Sequence, residues 1–150
     1  MEMNDLYNLL KEQHKFLETF LDTLSLQQKA IIESDLTGLQ ETIKAEGSLM
    51  VNFKHYEINM KEMISELSNK YSLKVTEDKL SEFINIINNK MEFNSGRFVK
   101  LHRSLQDLTN QILKINNQNK LLIDQARNFI KETISALVNN NQNPILDRKI

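Results

Sequence analysis

Three stretches of this chain place apolar residues at alternating steps of three and four, and each keeps that spacing over many turns. The first is Met3, Leu6, Leu10, Gln13, Leu17, Phe20, Leu24, Gln27 and Ile31, widened by Leu9, Phe16 and Leu21. The second is Leu36, Leu39, Ile43, Glu46, Met50, Phe53, Glu57, Met60, Ile64, Leu67 and Tyr71. The third is Phe98, Leu101, Leu105, Leu108, Ile112, Ile115, Asn119, Leu122, Ala126, Phe129, Thr133 and Ala136. A seven-residue repeat held this long turns one stripe toward a neighbour only if helices wind around each other left-handedly. One Pro and three Gly leave few of the breakers that sheets and their turns require. The expected fold is therefore all-α: a long antiparallel helical hairpin or coiled-coil bundle, a shorter third helix and a long C-terminal helix.

Punctuation between the runs sets the expected boundaries. In IIESDLTGL, either Ser34 or Asp35 suits an N-cap, its side chain accepting from free backbone N–H groups. A break this short makes the flanking helices antiparallel neighbours, in an arm of about 45 Å at roughly 1.5 Å per residue. In NKYSLKVTEDKL, Thr76 suits a cap, with Glu77 and Asp78 placed well against the helix dipole. The stretch NNKMEFNSGRF, centred on Asn94, Ser95 and Gly96, reads as a kink or a break. The run NNNQNPILDRKI, with Pro144, ends the periodicity. This gives one bundle over residues 1–138, with helices at about 3–33, 35–71, 77–90 and 95–138, and a flexible tail over 139–150.

Chemistry-bearing constellations are hard to find. The chain has no Cys, which removes thiol catalysis, disulfides and Cys-based zinc sites. None of its Glu has a His three residues later, the spacing that a carboxylate-bridged di-iron bundle needs. His14 and Glu18 form an i,i+4 pair whose ordinary reading is a surface contact. There is no Gly-rich phosphate loop and no Ser, His and Asp grouping. Met50, Met60 and Met63 suit either an adaptable binding surface or core filling, the second being the plainer reading. Neither an enzyme nor a cofactor is expected. No apolar run approaches the roughly 20 residues of a membrane span. The opening MEMNDLYNLLKEQ lacks the basic start and apolar centre of a signal peptide, so the expected location is the cytoplasm, without membrane insertion. Acidic residues dominate up to Tyr71 and basic residues after it. The split reads as mutual attraction or as solvated faces, and nucleic acid is not an expected partner.

Particular stretches carry more than periodicity does. The turn in QKAIIESDLTGLQETIKAEGSL, with Ser34, Asp35, Leu36 and Leu39, resembles the FlgN family of flagellar export chaperones. In that family a long first helix ends in a Gly/Ser-Asp-Leu-x-x-Leu turn, and a charged second helix follows. A second point of resemblance is a helix reading roughly Leu-x-x-x-Asn-x-x-Asn-x-x-Leu-hydrophobic. Here Ile112, Asn116, Asn119, Leu122 and Ile123 supply it, followed by Phe129 and Ile130. The likeness runs in order and in length from about Leu6 to Val138.

The resemblance implies a cytosolic type III export chaperone without catalysis. Such proteins bind the C-terminal helical segments of hook-associated (hook–filament junction) proteins, prevent early assembly, and deliver them to the export gate and its ATPase components. It further implies that cargo binding lies in the C-terminal helical part. Carried onto this sequence, that part offers Asn119, Leu122, Ile123, Ala126, Phe129, Ile130, Ile134 and Leu137. The chain departs from the family at one point. Some members dock on the gate through a Tyr in the C-terminal part, whereas Tyr7, Tyr56 and Tyr71 all lie in the first half.

The residues themselves add a reason to look there. Leu121 to Ile123, Phe129, Ile130, Ile134, Leu137 and Val138 exceed what a two-position seam needs, which implies a second apolar face. Such a face suits capture of an amphipathic helix. The plainer alternative is that it packs on the N-terminal hairpin. Within INNQNK, only Asn119 falls on the seam, where one Asn can fix register. The cluster reads as a boundary between a bundle-forming and a cargo-facing part. The competing functional reading is a non-catalytic, homo-oligomeric coiled-coil scaffold or regulatory protein.

Overall fold

Helices α1 (Met3–Ile32) and α2 (Leu36–Lys70) are joined by Glu33, Ser34 and Asp35 alone. The computed structural model describes residues 2–76, 80–90 and 96–141, which also contain α3 (Leu80–Lys90) and α4 (Gly96–Asn141). At the joint, Ser34 takes a left-handed φ of 55°. That turn lets the Asp35 N–H reach back to the Ala30 carbonyl at 2.8 Å and the Ser34 N–H to Ile31 at 3.2 Å, which closes α1 in a Schellman motif. Asp35 then opens α2, its carboxylate accepting the Gly38 N–H at 3.0 Å. One residue thus ends one helix and starts the next. Of the two expected caps, Asp35 is the cap, while Ser34 supplies the reversal. The end of α2 repeats the device, with Ser72 at φ 51° and the Leu73 N–H bonded to the Ser68 carbonyl at 2.8 Å.

α1 is the spine of the molecule. α2 packs along it antiparallel, with Lys70 on Glu2 at 2.7 Å at one end and Gln27 on Glu46 at 3.0 Å near the other. α4 packs along it in parallel, since Arg97 meets Asn4, His14 meets Ser104, and Gln28 meets Gln118. The two outer helices do not pack on each other; α3 bridges them at the end where α1 begins. Phe83, Ile84 and Ile87 of α3 are buried there with Met3, Leu6, Leu10, Leu17, Met60, Ile64, Leu67, Phe98 and Leu105. Each such side chain contributes on the order of 1.5–3 kcal/mol relative to exposure. Tyr7 meets Phe98 edge-on with ring centroids 5.4 Å apart, and Phe16 stacks on Phe53.

The first seam is buried nearly as its spacing predicts. The second is not: Met60, Ile64 and Leu67 are buried, but Leu36, Ile43 and Met50 remain exposed. The cause is topological, because α3 covers α2 only over its last turns. Boundaries also differ from the sequence expectation. α4 continues to Asn141, so the Asn run after Val138 begins inside a helix. Positions 142–150, with the rest of the expected tail, lie outside the described residues. So do Glu77 and Asp78 of the expected first turn and Asn94 and Ser95 of the expected break. Thr76, the expected cap, lies four residues before the start of α3 at Leu80, and its N–H donates to Glu82 Oε1 at 3.3 Å.

Left-handed backbone costs a non-glycine residue roughly 1–2 kcal/mol. Glycine returns roughly half of that through the added freedom of the unfolded chain, so Ser34→Gly and Ser72→Gly should each raise the thermal midpoint, each adding about 0.5–1 kcal/mol. Chemical denaturation of both variants measures this directly.

Candidate protein-binding surface

The interior is almost wholly apolar at the α3 end and becomes polar near the hairpin turn. There Asn119 of α4 is 1% exposed, and its amide donates to the Leu24 carbonyl at 2.9 Å and to Gln27 Oε1 at 3.0 Å. Gln27 passes the chain on, donating from Nε2 to Glu46 Oε2 of α2 at 3.0 Å. Three helices are thereby tied at one level by groups that pair in a single register. Glu46, an anomaly on an apolar seam, ends this relay.

Above the relay α1 runs out. Gln28 lies against Gln118, so the end of α1 at Ile32 falls close to the level of Ile123. Leu122 and Ile123 are partly covered, and every described side chain from Asp124 to Asn140 is exposed. Eighteen residues of α4, about 27 Å at roughly 1.5 Å per residue, project beyond the hairpin. This overhang carries Ala126, Phe129, Ile130, Ile134, Leu137 and Val138, with Phe129 69% exposed. Scattered exposed apolar side chains are ordinary, but a stripe that continues over five turns of one helix marks a surface built to be covered.

Seven of the eight cargo-facing positions expected from sequence thus fall on or at the root of this projecting stripe. Asn119 stands apart. It is buried in the relay and belongs to the bundle's interior. The alternative that the whole face packs on the hairpin describes only Leu122 and Ile123.

Sequence reasoning passed over a second apolar surface. Between α2 and α4, past the end of α3, a cleft of about 440 Å³ has Phe16, Leu17 and Phe20 of α1 as its floor. Met50 and Phe53 form one wall; Ile112, Leu113 and Asn116 form the other. The available signal was the long second run, which asked for a partner over more turns than the first helix supplies.

Groups able to do chemistry do not converge on either surface. His14 bonds Ser104 through Nε2 at 2.7 Å and faces Glu18 through Nδ1 at 3.6 Å. Burial alone holds the His102 imidazole below its ordinary pKa. Among the described residues there is no cluster of three metal-ligating side chains and no helix long and apolar enough to cross a membrane. What both surfaces offer is apolar area for another helix.

If the relay fixes how α1 and α4 meet, removing one member should cost more than removing two. Asn119→Leu leaves Gln27 Oε1 buried without a donor and should lose about 1–3 kcal/mol of unfolding free energy. Adding Gln27→Leu should recover most of it, since both buried polar groups are then gone and the partly exposed Glu46 turns to water. Urea titration of the single and double variants reads the difference.

The family model described as FlgN protein matches residues 1–146. No match was found among curated proteins or among solved structures. With the match covering nearly all of the chain, including the hairpin, the relay and the overhang, the chain belongs to the FlgN family of flagellar export chaperones.

Proposed function

We propose that this chaperone acts in the bacterial cytoplasm on hook-associated proteins, holding their C-terminal helical segments through the projecting stripe of α4. The observation that carries the proposal is the exposed run from Ala126 to Leu137, a helix face that no described element of the chain covers. In this reading the cargo segments are amphipathic helices that assemble by burying one apolar face. A chaperone that covers that face blocks early assembly by occupying the same area. Phe129, Ile130, Ile134 and Leu137 supply the contact, while Leu122, Ile123 and Ala126 lead it onto the bundle. The bound cargo is then delivered to the type III export gate and its ATPase.

This mode of capture needs no catalysis and no cofactor. It uses the physics of helix-in-groove recognition, in which anchors at spacings of three and four enter an apolar surface. The absence of a tyrosine after Tyr71 makes gate docking a property of other residues in this chain.

The test is titration of the full chain with C-terminal segments of hook-associated proteins, followed by calorimetry and light scattering. A one-to-one complex is expected. Phe129→Asp should weaken it at least about a hundredfold, as for loss of a central aromatic contact. Far-UV circular dichroism and the thermal midpoint should stay unchanged, because the Phe129 side chain is largely in solvent. No complex at tens of micromolar would sink the proposal. Loss of helicity in Phe129→Asp would move the residue from the surface to the core.

A further inference from the structure

At the end of the bundle where α1 and α4 begin, the two helices carry a positively charged field that no carboxylate of the bundle answers. Arg97 donates through Nη2 to the neutral Asn4 Oδ1 at 2.6 Å, and its guanidinium lies 4.4 Å from the centre of the Tyr7 ring. Lys11 Nζ approaches the same ring at 6.0 Å. On α4, steps of three put Lys100 and Arg103 in a row with Arg97. On α1, a step of four puts Lys15 beside Lys11. The contacts of Asn4 with Arg97 and of His14 with Ser104 set Lys11 between the levels of Arg97 and Ser104, so the two rows stand side by side. Lys11, Lys15, Lys100 and Arg103 are exposed, and Arg97 is partly so. None of these cations forms an ion pair among the described residues, whereas Lys70 pairs with Glu2 and His14 with Glu18. We propose that this field is a docking site for a short acidic segment of a second protein, separate from the α4 stripe.

The arrangement asks for carboxylates. Like charges four apart on a helix, as at Lys11 and Lys15, work against the helix that carries them, and an acidic partner relieves that repulsion. Arg97 is already oriented for one. The Tyr7 ring and Asn4 fix the plane of its guanidinium, and its other Nη hydrogens meet no acceptor among the described residues. A planar fork held in this way suits a carboxylate, which accepts two parallel N–H bonds.

The extent of the field selects among anions. From Arg97 to Arg103 it covers about 9 Å of α4, at roughly 1.5 Å per residue. The next turns are acidic, with Glu18 and Asp22 on α1 and Asp107 on α4. Glu12, one turn before Phe16, borders the flank toward α2, because Phe16 stacks on Phe53 of that helix. An anionic bilayer or a long polynucleotide laid along the bundle would meet these carboxylates within a Debye length. A run of a few Asp or Glu ends before it reaches them. Position keeps the site independent of cargo. Arg103 and Asp124, where the stripe starts, are separated by about 32 Å of α4 at roughly 1.5 Å per residue, so both surfaces can be filled at once.

Fluorescence anisotropy of the full chain, with labelled hexaglutamate as the probe, tests the proposal. Saturable one-to-one binding is expected, weakening at least about tenfold between roughly 50 and 300 mM salt. Lys100→Glu with Arg103→Glu should weaken it at least about tenfold, and so should Lys11→Glu with Lys15→Glu, because attraction becomes repulsion at exposed positions. Lys120→Glu with Lys131→Glu makes the same change of net charge outside the field and should leave binding within about twofold. Phe129→Asp should also leave it unchanged, which separates this site from the cargo stripe. No binding at about 1 mM peptide, the scale of weak association, overturns the inference. Equal losses in all three paired variants overturn it too, since the probe then reads net charge alone. So does tighter binding, at matched anionic charge, of phosphatidylglycerol vesicles or a single-stranded oligonucleotide that is lost in the two field variants, which would assign the field to a membrane or to nucleic acid.

Discussion

The structure depends on a mismatch of lengths around one central helix. α1 has 30 residues and carries both outer helices; α4 has 46. A helix without a covering partner has only its own backbone bonds to hold it, and tertiary burial is what ordinarily stabilises helices in proteins. The bundle therefore divides α4 into two parts of different character. Up to Ile123, the packing of α1 decides what each position does. From Asp124 onward no described element covers the helix, although its sequence keeps supplying apolar side chains. A chain selected only for its own stability has no use for Phe129 in water.

The second constraint is polar. The relay from Asn119 through Gln27 to Glu46 sits near the point where α1 ends. Apolar seams slide past one another at little cost, whereas a buried amide has its partners at one register alone. The relay fixes which residues of α4 lie inside the bundle and hence where the projecting part starts. The poor helix formers around Asn119 fit that position. Asn117 and Gln118 face solvent, Asn116 borders the cleft, and Asn119 alone is drawn inward. Asn119, the cluster's seam member, belongs to the bundle's interior, and the continuously exposed part of α4 starts five residues later, at Asp124.

Periodicity made the helices, their order and the first two helices' antiparallel hairpin legible, because apolar spacing reports on each helix alone. It could not report which helix meets which. The second run reads as a complete seam, yet Leu36, Ile43 and Met50 stay exposed, since α3 is only 11 residues long and covers α2 over its last turns alone. Ser34 was legible as a turn residue but not as the left-handed position, where glycine is the usual occupant. The stripe of α4 was visible as an excess of apolar residues; its exposure followed from the end of α1, a fact about a different segment.

A chaperone of assembly must offer an apolar surface without precipitating, and it must do so from a frame that stays folded when the surface is empty. In the proposed reading the frame is the lower bundle and the surface is the projection of one of its helices. Isoleucine side chains report on both. Ile64, Ile84 and Ile87 are buried in the core, while Ile130 and Ile134 lie on the overhang. Methyl nuclear magnetic resonance of isoleucine-labelled protein, titrated with a hook-associated protein's C-terminal segment, distinguishes them in one experiment. The account predicts large shifts at Ile130 and Ile134 and unchanged signals at Ile64, Ile84 and Ile87. Shifts at the three core positions with the overhang signals left unmoved would contradict it.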